Sequence, residues 1–472
     1  MTTERNSQSP ATPALAEATE EGYQRGLNPR TIQMIAIGGA IGTGLFWGSG
    51  GAIEKSGPAL ILCYVAAGLA IFVVMRALGE LLTYRPVSGS FAEYAHEFLG
   101  AFAGFVTGWT YWAVWVVTCM AEITVAGHYV NYWWPAIPVW LTALVVLGVL
   151  FVVNLISVKM FGEGEFWFST IKVTAIVVMI VIGIAVLIHP FGHVQHPSVT
   201  NLWSEGGMFP HGFGQALLSL QIVLFAYAGV ELVGVTAGEA ADPRRTLRRA
   251  INSLPLRIGL FYIGSLVVIM SVSSWRAFHS GASPFVVVFE QIGIPGAAGI
   301  INFVLLTAAL SSCNSGIYST GRMVRSLSMR GEAPEALGRL SKRRVPYVGI
   351  VLSAALMVIG VIINVISPDK AFNYITSVST VGMIVVWSMI LLCHMAYRAK
   401  VRRGELPAGD YRLPGAPLTS GLALIFLGLV VVLLFFSVDG RTALTVGAVW
   451  AVLVCAGYPI VNRLTRRPVP VS

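Results

Sequence analysis

The sequence predicts an all-α integral membrane protein of twelve spans, with the first ten arranged as two five-span repeats of inverted orientation. Three observations predict this. Only 11% of the 472 residues are charged and 56% are hydrophobic, whereas soluble domains carry about 25% charged residues. Twelve apolar runs are long enough to cross a bilayer, which takes about 20 residues. Two of these runs, five spans apart, are interrupted by glycine: "GGAIGTG" in span 1 and "FAYAGVELVG" in span 6.

The elements follow in chain order. Residues 1–28 are polar and acidic, contain no hydrophobic stretch, and predict a disordered cytoplasmic tail rather than a cleaved signal peptide. Spans are expected at 31–53, 59–81, 103–128, 139–158 and 165–189, then at 213–237, 255–275, 296–325, 347–366 and 373–396, and last at 418–437 and 442–462. They must be helices, because they are too long and too continuously apolar for barrel strands. Repeat 1 is placed at 29–189 and repeat 2 at 213–396. Five is odd, so the second repeat enters from the opposite side. Spans 11 and 12 (418–462) stand outside the repeats, and 463–472 is a second cytoplasmic tail.

Lys and Arg set the orientation. With the N-terminus inside, Lys55, Arg276, Lys370 and Arg441 face outward and Lys172 lies within a span, while the other 26 of 31 basic residues gather at the inner face. Both termini are therefore expected inside. The same asymmetry accounts for a net charge of +9 without nucleic acid as a partner.

Broken helices at matching positions of two halves point to a transporter with its site at the breaks. Unwinding frees backbone N–H and C=O groups, and a half-helix N-terminus attracts an anion. A free amino acid needs a partner for its carboxylate and carbonyls for its ammonium. The competing reading is that the glycines only let helices pack closely.

Ionisable groups inside spans are functional candidates by default. Lys172 lies well inside span 5, so snorkelling to the interface is strained. Glu231 adjoins the span 6 break, where supporting the unwound backbone and touching substrate are equally open. Glu122 in span 3 faces a cavity or pairs with a polar group. Glu80, Glu163 and Glu165 are expected near the inner ends of their helices, serving helix ends and gate contacts. Span 8 carries Ser311, Ser312, Asn314 and Ser315 in "LSSCNSG". These either coordinate a cation, accept from Lys172, or bond helix to helix.

The five cysteines (Cys63, Cys119, Cys313, Cys393 and Cys455) lie in apolar runs and form no C-x-x-C pair, so they read as small core residues. His189, His193, His196 and His211 in the loop after span 5 fit no standard metal spacing and read as solvated. No nucleotide, zinc-hydrolase or serine-hydrolase motif is present, so neither an enzyme nor a primary pump is expected, and no cofactor.

The stretches "IQMIAIGGAIGTGLF", "MRALGEL", "RPVSGSFAEYA", "VKMFGEGEFWFSTIK", "FAYAGVELVGVTAGEAADP", "RAINSLPLRI" and "LSSCNSGIYSTGRM" resemble the bacterial amino acid permeases of the amino acid–polyamine–organocation superfamily. The likeness runs from about Gly26 to the last span. It implies a leucine-transporter-like fold with broken helices 1 and 6 and alternating access in the bacterial inner membrane. It implies that the substrate carboxylate meets Gly42, Thr43 and Gly44, and that the ammonium meets carbonyls around Ala40 and Ile41 and around Phe225, Ala228 and Gly229. Phe225 resembles a gating aromatic, and Glu122 aligns with a position facing the substrate side chain. Lys172 resembles the lysine that occupies the sodium site of sodium-coupled relatives, with Ser312 and Ser315 beside it, which implies proton coupling.

The function expected is import of a small neutral or polar amino acid with a proton, with no obligate protein partner. Some stretches resemble glycine/alanine/serine permeases ("GWTYWAVWVVTCMAE") and others asparagine permeases ("YSTGRM", "SKRRVPY"). Alternatives are an exchanger, a permease for cationic or aromatic amino acids, and a non-transporting sensor.

Overall fold

The computed structural model describes residues 41–85, 90–156, 158–194, 196–235 and 243–465. The predicted tail 1–28, the start of span 1 with Ala40, and residues 466–472 lie outside the described residues. Among the described residues every regular element is a helix.

The chain runs through α1 (Thr43–Phe46) into α2 (Gly48–Ser56). Gly57, at φ +58°, turns it into α3 (Leu60–Tyr84). Next come α4 (Ser90–Leu99), α5 (Ala101–Asn131), α6 (Val139–Ile156) and α7 (Val158–Ile188). The sixth run is α8 (Phe213–Leu218), α9 (Leu220–Ala226), an unwound stretch at 227–231, and α10 (Leu232–Val235). The seventh follows α11 (Pro243–Asn252) as α12 (Leu254–Arg257), a π-helical segment Ile258–Gly264, and α13 (Ser265–Val272). Then come α14 (Pro284–Ile292), α15 (Ala297–Met329), α16 (Tyr347–Ile366), α17 (Pro368–Arg402), α18 (Leu418–Leu434) and α19 (Val438–Thr465).

Nine helical stretches among the described residues are long and apolar enough to cross a membrane. The first, Gly48–Tyr84, takes in parts of spans 1 and 2, and Phe213–Ala226 and α18 are shorter apolar helices. α5, α15 and α17 outrun their predicted spans at the C-terminal end. Hydropathy marks the part of a helix suited to hydrocarbon, while the i→i−4 ladder carries on through polar ends.

α5 is the hub of the bundle. It packs along α15, α17, α6 and α16, and 78% of its span window is buried against 6% for α19. Small residues allow this: a Cβ on Gly316 of α15 would meet Cys119 Sγ at 2.4 Å. Polar pairs fix the register. Trp112 Nε1 donates to Ser353 Oγ at 2.9 Å, Asn364 Nδ2 to Thr124 Oγ1 at 2.7 Å and Asn302 Nδ2 to the Tyr129 carbonyl at 2.8 Å. The apolar faces of α19 and α6 look outward, as expected where lipid is the solvent.

Candidate functional site

Gly42 is extended (φ −128°, ψ −165°) and precedes the first helical residue, Thr43, with Ile41 buried beside it. The first N–H groups of α1 have no intrahelical acceptor, and a side chain at Gly42 would compete for the space in front of them. A Cβ there would sit 3.1 Å from Glu122 Oε1 and 3.4 Å from Ser312 Oγ. Gly44 has a different reason for being glycine. A Cβ on it would lie 2.5 Å from Ala226 Cα and 2.8 Å from Ala226 N, so α1 meets the end of α9 backbone to backbone.

The span 6 break is set by Gly229, at φ +97°. The Ala228 N–H turns back to the Phe225 carbonyl at 2.9 Å. The Gly229 N–H donates to Glu231 Oε2 at 3.1 Å, and Glu231 is fully buried. The Glu231 carboxylate is thus hydrogen-bonded to backbone at the break. Tyr262 Oη donates to the Ala226 carbonyl at 3.2 Å. The Phe225 ring stands edge-on to Phe372 of α17, centroids 6.2 Å apart.

Lys172 is fully buried, and both Glu122 and Glu165 bear on it electrostatically. Ser312 Oγ donates to Glu122 Oε1 at 2.8 Å, and Ser311 Oγ donates to Glu165 Oε1 at 2.7 Å. Ser315, also buried, lies against Glu165. The α15 serines thus address the two carboxylates flanking the lysine. Asn314 takes the helix-packing role instead, accepting from Asn154 Nδ2 at 2.7 Å.

The sequence puts Glu165 near the inner end of its helix, where the apolar run starts after "KMFGEGE". The helix starts at Val158, so Glu165 is two turns inside it and fully buried. Trp47 was also missed. It separates α1 from α2, stacks on His128 at 4.9 Å and meets Tyr129 edge-on at 5.4 Å. It borders two cavities. One of about 60 Å³ is bounded by Lys55, Gln221, Phe372 and Asn373, and one of about 210 Å³ by His128, Asn131, Glu290 and Asn302. A bulky aromatic in a glycine-rich stretch was the available signal.

Glu122 and Ser312 border Gly42, and Ala226 borders Gly44, within a bundle of membrane-length helices, and the amino acid permease family model matches residues 31–470. The chain belongs to the amino acid permease family. It is 47% identical over 440 residues to the uncharacterized amino acid permease YtnA of Bacillus subtilis, covering 93% of this chain and 95% of the relative. It is 45% identical to the L-asparagine permease of Streptomyces coelicolor (95% of this chain, 92% of the relative). It is 44% identical to the Bacillus subtilis protein named "probable threonine/serine transporter YbxG" (92% and 94%). The permease is accordingly a multi-pass membrane protein and a transporter of amino acids, not an enzyme.

Proposed function

We propose that this permease imports a small polar amino acid together with a proton by alternating access. Its fold is read as twelve helices in two inverted repeats (29–189 and 213–396), with both termini on the cytoplasmic side of a bacterial inner membrane. One observation carries the reading: the position in front of Gly42 is bordered at once by the α1 N-terminus, Glu122 Oε1 and Ser312 Oγ. The substrate carboxylate takes the N–H groups of Gly42, Thr43 and Gly44. Its ammonium takes carbonyls near Ile41 and in the Phe225–Gly229 turn, with Ala40 continuing that first set. Glu122 reads the side chain, accepting from an amide or hydroxyl. The L-asparagine permease and the threonine/serine transporter named above fit that pattern.

Coupling runs through Lys172, with Ser312 and Ser315 holding the carboxylates around it. Gly44 packs on the Ala226 backbone, so the two broken spans move together, and Phe225, Phe372 and Trp47 close over the site from one side.

Uptake by the purified permease in liposomes tests the reading. An inward proton gradient should drive accumulation and a sodium gradient should not. Uptake that follows sodium, or that needs internal substrate and ignores the proton gradient, would remove proton symport. Lys172→Ala should abolish gradient-driven uptake while keeping some binding. Gly42→Val should remove binding itself, and normal affinity there would make the α1 start structural only.

A further inference from the structure

Glu165 is a fully buried carboxylate with no part in the binding scheme above. It sits on α7 seven residues before Lys172. Seven residues are two turns and about 10 Å of rise on one helix face, and a helical side chain leans back toward the N-terminus. Lys172 thus lies on the face of α7 that carries Glu165, and Glu165 and Glu122 of α5 both bear on it electrostatically. Adjacent residues of α15 serve the two acids, Ser311 on Glu165 and Ser312 on Glu122. Each acid keeps one oxygen without a hydrogen bond among the described residues: Oε2 of Glu165 and Oε2 of Glu122. The hydroxyls of Ser169 and Ser315 flank Glu165, and Thr43 flanks Glu122. The seventh run also packs on α7. It contributes Tyr262, engaged with the Ala226 carbonyl, and Arg257, which interacts with Tyr262.

Charge counting decides what this cluster holds. One ammonium and two carboxylates sum to one negative charge. An uncompensated charge buried in a bilayer interior is costly, and coupled groups avoid it by sharing a proton. The neutral cluster has Lys172 protonated, one carboxylate ionised and the other a carboxylic acid.

We propose that Glu165 is the second proton-carrying group of the transport cycle, taking the proton from the substrate-side acid Glu122 by way of Lys172. In that step a Lys172 N–H bond breaks and a Glu165 O–H bond forms. The Glu122 O–H bond then breaks and a Lys172 N–H bond re-forms. The cluster's charge is unchanged, and the negative charge moves from Glu165 to Glu122. Loss of the Glu165 proton to water completes transfer and leaves the negative charge that reloading at Glu122 removes.

The assignment rests on the proton-symport reading and is tested beside it. Wild type, Glu165→Gln and Glu165→Asp are reconstituted with labelled L-asparagine and L-serine as probes. Each is assayed for gradient-driven accumulation and for counterflow at equal pH. One proton per substrate supports about tenfold accumulation per pH unit, and Glu165→Gln should bring this to about one while counterflow stays within about twofold. Glu165→Asp should recover part of the accumulation. Ser311→Ala should shift the pH midpoint of accumulation and leave counterflow intact. Accumulation retained in Glu165→Gln overturns the assignment alone. Counterflow lost together with accumulation makes Glu165 a structural ion pair and overturns it as well. No gradient response in the wild type removes proton symport, and this assignment falls with it.

Discussion

Two sets of buried carboxylates in this permease are built differently. Glu80, on α3, is fully buried and completely engaged. Its Oε2 lies 3.0 Å from His394 Nε2 and accepts from the Leu413 N–H at 2.7 Å, and its Oε1 accepts from Arg398 Nη1 at 3.2 Å. It ties α3 to α17 and to the connection before α18. Glu122, Glu165 and Glu231 are just as buried, yet each leaves one oxygen without a hydrogen bond among the described residues. A carboxylate with both oxygens hydrogen-bonded and a guanidinium among its partners gains little from a proton or a ligand, so it staples the fold. One with an oxygen in reserve has capacity for a proton, a water or a substrate donor. The distinction sets the carboxylates of the proposed site apart from Glu80, which burial does not.

The largest expected effect tests this directly. Glu80→Ala strands Arg398 and His394 and should cost about 3 kcal/mol of stability, read as a lowered thermal midpoint of the detergent-solubilised permease. Glu122→Gln should stay within about 1 kcal/mol of wild type and still lose uptake. Equal destabilisation by both substitutions would collapse the comparison.

The sequence made part of this contrast legible. Lys172, Glu122 and Glu231 stood out because a charge in an apolar run is rare for energetic reasons. The glycines at 42, 44 and 229 stood out because glycine weakens helices. Glu165 did not stand out. Its neighbours Glu163, Gly162 and Gly164 dilute the hydropathy, so the run begins at the residue that the helix in fact carries two turns inside. Nothing local marked Glu80 as a staple, since His394 and Leu413 lie more than 300 residues away in sequence. Pairing of that kind is fixed only by tertiary packing.

The glycines of α1 sharpen the comparison at the next level. Gly44 faces backbone, which has no soft end to yield, so Gly44→Ala should cost about 1–3 kcal/mol and lower folded yield. Gly42 faces side chains, Glu122 and Ser312, which can give by a few tenths of an ångström. Gly42→Ala should therefore leave yield intact and weaken substrate affinity about tenfold, measured by scintillation proximity. Similar losses of yield in both variants would place Gly42 with the scaffold.

The smallest effect separates the neighbouring polar residues of α15. Among the described residues no hydrogen bond joins Asn314 to the carboxylates. It accepts from Asn154 across the α6–α15 contact, the helix-packing use of a polar side chain. A hydrogen bond of that kind between membrane helices averages about 0.6 kcal/mol, so Asn314→Ala should shift the thermal midpoint slightly and leave uptake unchanged. Ser312, two residues earlier, donates to Glu122 Oε1. Ser312→Ala should cost about 1 kcal/mol in substrate affinity, roughly fivefold, with little change in stability. The two substitutions remove similar bonds from one helix turn. If both moved stability alone, Glu122 would be a structural acid, and the reserve oxygen would carry no functional meaning at this site.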